Sequence, residues 1–448
     1  MNGQYAVPHT PGARAHVARA RLESIDAVRG IVMILMLLDH LRETWLVLVP
    51  MPDPVDARTV LPALAIARFA ASFCAPIFVA LTGLSAYLFS VSHSRGETTA
   101  FLVKRGLLLM AIDLFYLSPL YWGVVPQPTF WLQVIWCLGL CMILLAGLIR
   151  LPRSARIALG LVLVCGHNLL DPIRLHQGDT LFPIWALLHQ RDVIALPFGF
   201  IAKTTYPILP WVGVMLLGNA IGPWFNRAVE PSQRIGRLTR LGALMIAAFI
   251  ALRTLNVYGD VPWHIVENSV LRTAIGFLSM TKYPPSLLFL LPTLGGGALM
   301  LALFERFKDS RLISALAVFG GAPMFFYLFH LTVLRILYHT ALAWWGPTGG
   351  GVFMVDSYGW VLARKSPDEV AAFEAKRDTP RFRRVMTMMT LVWGIGLIAS
   401  SALACALVFA FSIHNYMLVS PFVGYGSMGV LVLWTVWYRR LAQRRAAR

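Results

Sequence analysis

The sequence predicts an all-α, polytopic transmembrane helical bundle of about 11–12 spans. Three observations carry this. Of 448 residues, 58% are hydrophobic and only 13% are charged, where soluble domains run at about 25% charged. Mean hydropathy is +0.67. Apolar stretches of roughly 20 residues, the length that crosses a bilayer, recur along the chain.

Residues 1–20 hold Pro, Gly, His and Arg without periodicity and read as a short disordered tail. They lack the apolar core of a signal peptide. Spans are expected near 25–49, 62–91, 101–124, 129–149, 156–171, 204–225, 240–258, 284–304 and 312–341. Every second loop between them is basic: Arg14, Arg19 and Arg21; Arg95, Lys104 and Arg105; Arg150, Arg153 and Arg156; Arg227, Arg234, Arg237 and Arg240; Arg306, Lys308 and Arg311. Lys and Arg accumulate on the cytoplasmic side, so the N-terminus is expected there. The far-side loops 172–203 and 259–283 are long and rich in Trp, Pro, His and Tyr. Loops of that length carry function or form lids. Trp185, Trp211, Trp263 and Tyr283 fit equally an interfacial belt.

The rest of the chain divides at residue 345. A membrane domain is expected over 21–345, and an additional membrane segment with a basic tail over 346–448. Within the latter, 363–385 is polar and basic, and spans near 386–411 and 416–438 precede the Arg-rich end. Keeping both basic stretches on the cytoplasmic side requires a crossing between Trp344 and Leu362.

The net charge is +18. It sits in short loops, where it sets topology, so lipid is the expected partner and nucleic acid is not. Cys74, Cys137, Cys141, Cys165 and Cys405 all lie in apolar stretches and show neither metal spacing nor a disulfide framework. No metal is expected.

The chemistry is sought in charges that lipid would not tolerate. The first span has an apolar run from Ile31 to Leu38, yet carries Asp26 and Arg29 on one side and Asp39, His40, Arg42 and Glu43 on the other. Each intramembrane charge costs about 2.5–3.5 kcal/mol on insertion scales, so such groups face cavities and pair with one another. His40 lies roughly 22 Å along the helix from Ile25. Arg68, Asp113, Lys282, Tyr283 and His330 fall at similar depth on other spans. His40 titrates near neutrality and suits a general base. Asp39, Asp113 and His330 are candidates to orient it, and Arg68, Lys282 and Tyr283 to hold an acceptor. Arg68 and Asp113 fit a structural ion pair as well. At the other end, Arg29, Lys104 and Arg105 suit a phosphate-bearing ligand. Topology charge and snorkelling explain Lys104 equally well.

RLESIDAVRGIVMILMLLDH, ARFAASFCAPIFVALTGLSAYL, FLVKRGLLLMAIDL, TKYPPSLLFLLPTLG and FGGAPMFFYLFHLTVLRIL occur in this order. They resemble the bacterial branch of the heparan-α-glucosaminide N-acetyltransferase-like membrane proteins, over about residues 21–341. The resemblance implies an integral acyltransferase of the bacterial inner membrane. It implies acetyl-CoA, or another acyl-CoA, as cytoplasmic donor and a sugar-like acceptor on the far side. A broader superfamily of membrane acyltransferases also uses an Arg and a His in the first helix. The chain departs in one respect: the lysosomal enzyme's catalytic His lies in the loop after the first helix, and residues 41–67 here contain none. After Trp345 the resemblance ends, and residues 357–440 look more like another bacterial membrane family.

A proton-coupled transporter using the same charged layer is the alternative. Transporters favour internal repeats and broken helices. The halves show no repeat, and the middle of the first span has neither Pro nor Gly.

Overall fold

The computed structural model describes residues 22–45, 52–122 and 129–350, with scattered helical positions between 384 and 441. The tail 1–20, most of 346–448 and the bulk of the spans expected near 386–411 and 416–438 lie outside the described residues. The described part is an all-helical bundle with one small sheet.

The first helix, α1 (Glu23–Trp45), places Asp26, Arg29, Met36 and His40 at intervals of three, seven and four residues. That spacing gathers them on one stripe, which faces an internal cavity. Val28 and Val32 are fully buried in the apolar packing. The stretch 62–90 breaks into α2 (Pro62–Ala71) and α3 (Cys74–Ser90). A capping box of Ser94 and Glu97 starts α4 (Arg95–Ile112), which runs into a π-helical stretch, Asp113–Trp122. Next come α5 (Val134–Leu148) and α6 (Arg153–Gly166). Then α7 (Phe182–Leu188) covers one end, and α8 (Ile208–Ala220) crosses the core with Trp211 and Leu216 at 0% exposure. The last described elements are α9 (Pro231–Leu255), α10 (Val270–Leu278), α11 (Leu287–Arg306), α12 (Arg311–Phe319) and α13 (Pro323–Gly350).

Helices in lipid approach closely where residues are small. A Cβ on Gly106 of α4 would sit 2.5 Å from the Gly139 carbonyl of α5, and the converse holds at the same distance. A Cβ on Gly30 would strike the Leu316 carbonyl of α12, so α1 lies directly on that backbone.

Among the described residues, four helical stretches are long and apolar enough to cross a membrane: Pro62–Ser90, Ile208–Phe225, Pro231–Leu255 and Leu287–Arg306. The pair α12–α13 would make a fifth.

Four expectations need correction. The span near 312–341 is a bent pair with 70° between α12 and α13. Pro323 has no N–H to donate and disfavours helix at the residue before it, so the helix ends at Gly320–Gly321. The span near 129–149 opens on a strand, β1 (Thr129–Leu132), with the β-favouring sequence TFWL. The loop 172–203 holds β2 (Val193–Ala195) and the start of β3 (Ile201–Thr204); β3 pairs parallel to β1 and antiparallel to β2. Lastly, Trp211 is in the core and not in an interfacial belt.

The loop 256–286 is pinned by one side chain. Arg253, 2% exposed, donates to the carbonyls of Val261, Gly276, Phe277 and Ser279 at 2.7–3.0 Å.

Candidate functional site

A cavity of about 1570 Å³ runs inside the bundle. Where α1 begins, it is lined by Asp26, Arg29, Arg105, Arg227 and Arg234. Toward the other end of α1, it is lined by Asp39, His40, Lys282, Tyr206 and Tyr327. The two ends differ in chemistry.

At the first end, Arg29 Nη1 donates to Asp26 Oδ1 at 2.7 Å, and Nη2 donates to Ser85 Oγ at 2.5 Å. The Arg105 guanidinium lies 5.7 Å from the Phe101 ring centroid, and Phe89 stacks on Phe101 at 4.2 Å. Arg105 and Arg227 form no ion pair among the described residues. Arg234 is committed to Glu305, which also accepts from Ser24 Oγ at 2.7 Å. Two arginines with open donors, an aromatic pair and a mostly apolar lining beyond them suit a ligand with phosphates and a less polar tail. Lys104 is exposed and does not line this cavity, so its placement fits topology charge.

At the second end, His40 and His330 meet. Their rings stack at 5.0 Å and 5°, with His40 Nδ1 2.7 Å from His330 Nε2. His330 Nδ1 lies 2.7 Å from the Phe326 carbonyl one turn back on α13. A carbonyl only accepts, so His330 carries its proton on Nδ1. Its Nε2 then accepts, and His40 donates from Nδ1. The network thus assigns Nε2 as the basic nitrogen of His40. The Tyr327 ring packs edge-on to His40 at 6.1 Å.

Lys282 completes this end. Its Nζ is 3.8 Å from Asp39 Oδ2, and both side chains are buried. The Asp53 carboxylate accepts the backbone N–H groups of Lys282 and Tyr283 at 2.9–3.2 Å, which seats the pre-α11 turn. Arg68 bonds the same carboxylate at 3.3 Å. The Tyr283 ring lies beneath three cations, with Arg191 at 5.0, Lys282 at 5.2 and Arg68 at 5.7 Å from its centroid. Its hydroxyl is 3.3 Å from that of Tyr206.

Asp39, His40, Lys282, Tyr283, Arg68 and His330 are therefore gathered at one end, and Asp113 is not. The expected Arg68–Asp113 pair is not formed. Asp113 accepts from the N–H groups of Gln133 at 2.9 Å and Trp136 at 3.1 Å, so it caps the start of α5, while Arg68 takes Asp53. Depth along separate helices does not fix which way each side chain turns. Sequence reading missed Asp53, Tyr206, Tyr327 and the use of Arg227. Tyr327 is one turn before His330 in YLFH, and that spacing was the available signal.

No curated protein matches the chain by sequence. A family model does, over residues 21–259; its description reads heparan-alpha-glucosaminide N-acetyltransferase, catalytic. The matched region supplies His40, Arg29, Arg68 and Arg105, and the cavity adds Lys282 and Tyr327 from beyond it. With more than half its length under that match, the chain belongs to the heparan-alpha-glucosaminide N-acetyltransferase catalytic family, a family of membrane acetyltransferases.

Proposed function

We propose that the protein transfers an acetyl group from acetyl-CoA to an amine or hydroxyl of a carbohydrate-like acceptor. The observation that carries this reading is the single cavity with arginines at one end and the His40–His330 pair at the other. Arg29 and His40 are eleven residues apart on α1, roughly 16 Å, a separation that an extended pantetheine arm spans. The CoA phosphates sit against Arg29, Arg105 and Arg227, and the thioester reaches His40. The arginine end faces the cytoplasm of a bacterial inner membrane, with lipid around the bundle, and the acceptor enters from the far side.

His40 Nε2 takes the proton from the acceptor as its nitrogen or oxygen attacks the thioester carbonyl. The developing oxyanion is stabilised by the Lys282 ammonium. The carbon–sulfur bond then breaks, and the CoA sulfur leaves with the proton held on His40. His330 accepts the His40 Nδ1–H throughout and keeps the ring in the working tautomer. Asp39 holds the Lys282 ammonium, and Arg68 acts through Asp53 by fixing the turn that carries Lys282 and Tyr283.

The test is acetyl-CoA binding and turnover in detergent. At a hundred times its Kd, a ligand raises stability by about 2.7 kcal/mol. Acetyl-CoA should stabilise the wild type and Arg29→Gln less so. Free CoA thiol should then appear when an amino sugar is added. No stabilisation and no thiol release in the wild type would leave a carrier as the better reading.

A further inference from the structure

Away from the cavity, one group of side chains has donors with nothing to bind. His167 follows directly on α6, Asp171 lies one turn later, and His189 ends α7. His167 and His189 are 2% and 3% exposed. Both ring nitrogens of His167 and Nδ1 of His189 are buried without a hydrogen-bond partner among the described residues. Leaving such a group unsatisfied costs about 1–3 kcal/mol, and an ion is one standard way of meeting it.

The geometry points to a divalent transition-metal site, of the zinc class, held by His167, Asp171 and His189. One donor atom from each residue falls within 4.8 Å of the others. His189 Nε2 and Asp171 Oδ1 are already 2.8 Å apart, so they can share an ion in place of the proton they share now. The imidazole proton of His189 then sits on Nδ1, so the neutral ring binds the ion through Nε2. The two imidazole rings stand at 64° with centroids 5.7 Å apart, facing one region rather than stacking. Two nitrogens and one carboxylate oxygen suit zinc, with ligand bonds of about 2.0–2.2 Å and a fourth position left for water. The Asp171 side chain is 42% exposed, so water reaches that position.

A supporting shell is present, as metal ligands require. Asn168 Nδ2 donates to Asp171 Oδ2 at 2.9 Å, and Asn168 Oδ1 accepts from the Leu287 N–H that opens α11, also at 2.9 Å. The Trp185 ring packs against His189 at 5.4 Å. An ion here would tie α6, α7 and the start of α11 together, outside the cavity lining but only two residues along the chain from Arg191, which lies over the Tyr283 ring.

The experiment uses the full chain without a polyhistidine tag, purified in detergent, equilibrated with Zn²⁺ and dialysed against metal-free buffer. Elemental analysis should find one zinc ion per chain. His167→Gln and His189→Gln should each fall to background, and His264→Gln, an exposed histidine elsewhere, should retain the full amount. A wild type without retained zinc overturns the site, and so do variants that retain as much as the wild type. If the variants do not elute as the native protein on gel filtration, the wild type decides the matter alone. Co²⁺ should then give visible ligand-field bands that Zn²⁺ abolishes, and their absence overturns the site.

Discussion

Two histidine pairs in one molecule have opposite surroundings. His40 and His330 are stacked and linked in a chain that ends on the Phe326 carbonyl, so each ring nitrogen in the chain has an assigned role. His167 and His189 are steeply inclined, beside a carboxylate, with three nitrogens that have no hydrogen-bond partner among the described residues. The two proposals therefore ask different things of the same side chain: proton transfer where neighbours fix the tautomer, and ion binding where buried nitrogens lack partners.

The comparison can be broken at several points. The largest effect is expected at His40. His40→Asn keeps hydrogen bonding but cannot take a proton, so acetyl transfer should fall by about 10²–10⁴-fold while acetyl-CoA stabilisation persists. Measured CoA release at the wild-type rate would show that the stacked pair is structural. Next is metal removal. Stripping zinc with a chelator should cost about 2.7 kcal/mol relative to a hundredfold excess over Kd, read as loss of thermal stability. CoA release by the folded, stripped protein should be unchanged, and a parallel collapse in rate would tie the two histidine pairs together.

A finer test concerns what supports Lys282. Arg68→Ala and Asp53→Ala should couple by 0.5–3 kcal/mol in a double-mutant cycle on transfer, because they share one contact, whereas Arg68→Ala and Asp113→Ala should add within about 0.5 kcal/mol. Coupling of the second pair and not the first would restore the Arg68–Asp113 arrangement. The smallest effect is expected at Lys104, exposed outside the cavity. Lys104→Gln should change acetyl-CoA stabilisation by no more than about 0.5 kcal/mol, and a larger loss would place that lysine on the ligand.

The parts of this site that were legible in the sequence are those where a residue contradicts its solvent. His40, Arg29 and Lys282 stand out because charge and apolar context disagree. His330 stands out by depth on its own helix. What was not legible depends on contacts between distant segments. Asp113 caps α5 from the end of α4, and Asp53 reaches a turn 229 and 230 residues away. The break between α12 and α13 had a visible signal in Gly320, Gly321 and Pro323, outweighed by the apolar run on both sides. The His167–Asp171–His189 group had a weaker one. A His and an Asp four apart fall on one side of a helical turn, but the third member comes from α7, which read as a loop.

The contact between Gly30 and the α12 backbone bears on how the protein is made. The first described helix is also the one with Asp26, Arg29, Asp39 and His40 along it, and it is poorly suited to rest alone in lipid. The helix packs against α2, α3, α11, α12 and α13, and the last three emerge from the ribosome some 250 residues later or more. Gly30 and the Leu316 backbone can therefore meet only after α12 has been made, so the seat of α1 is completed late.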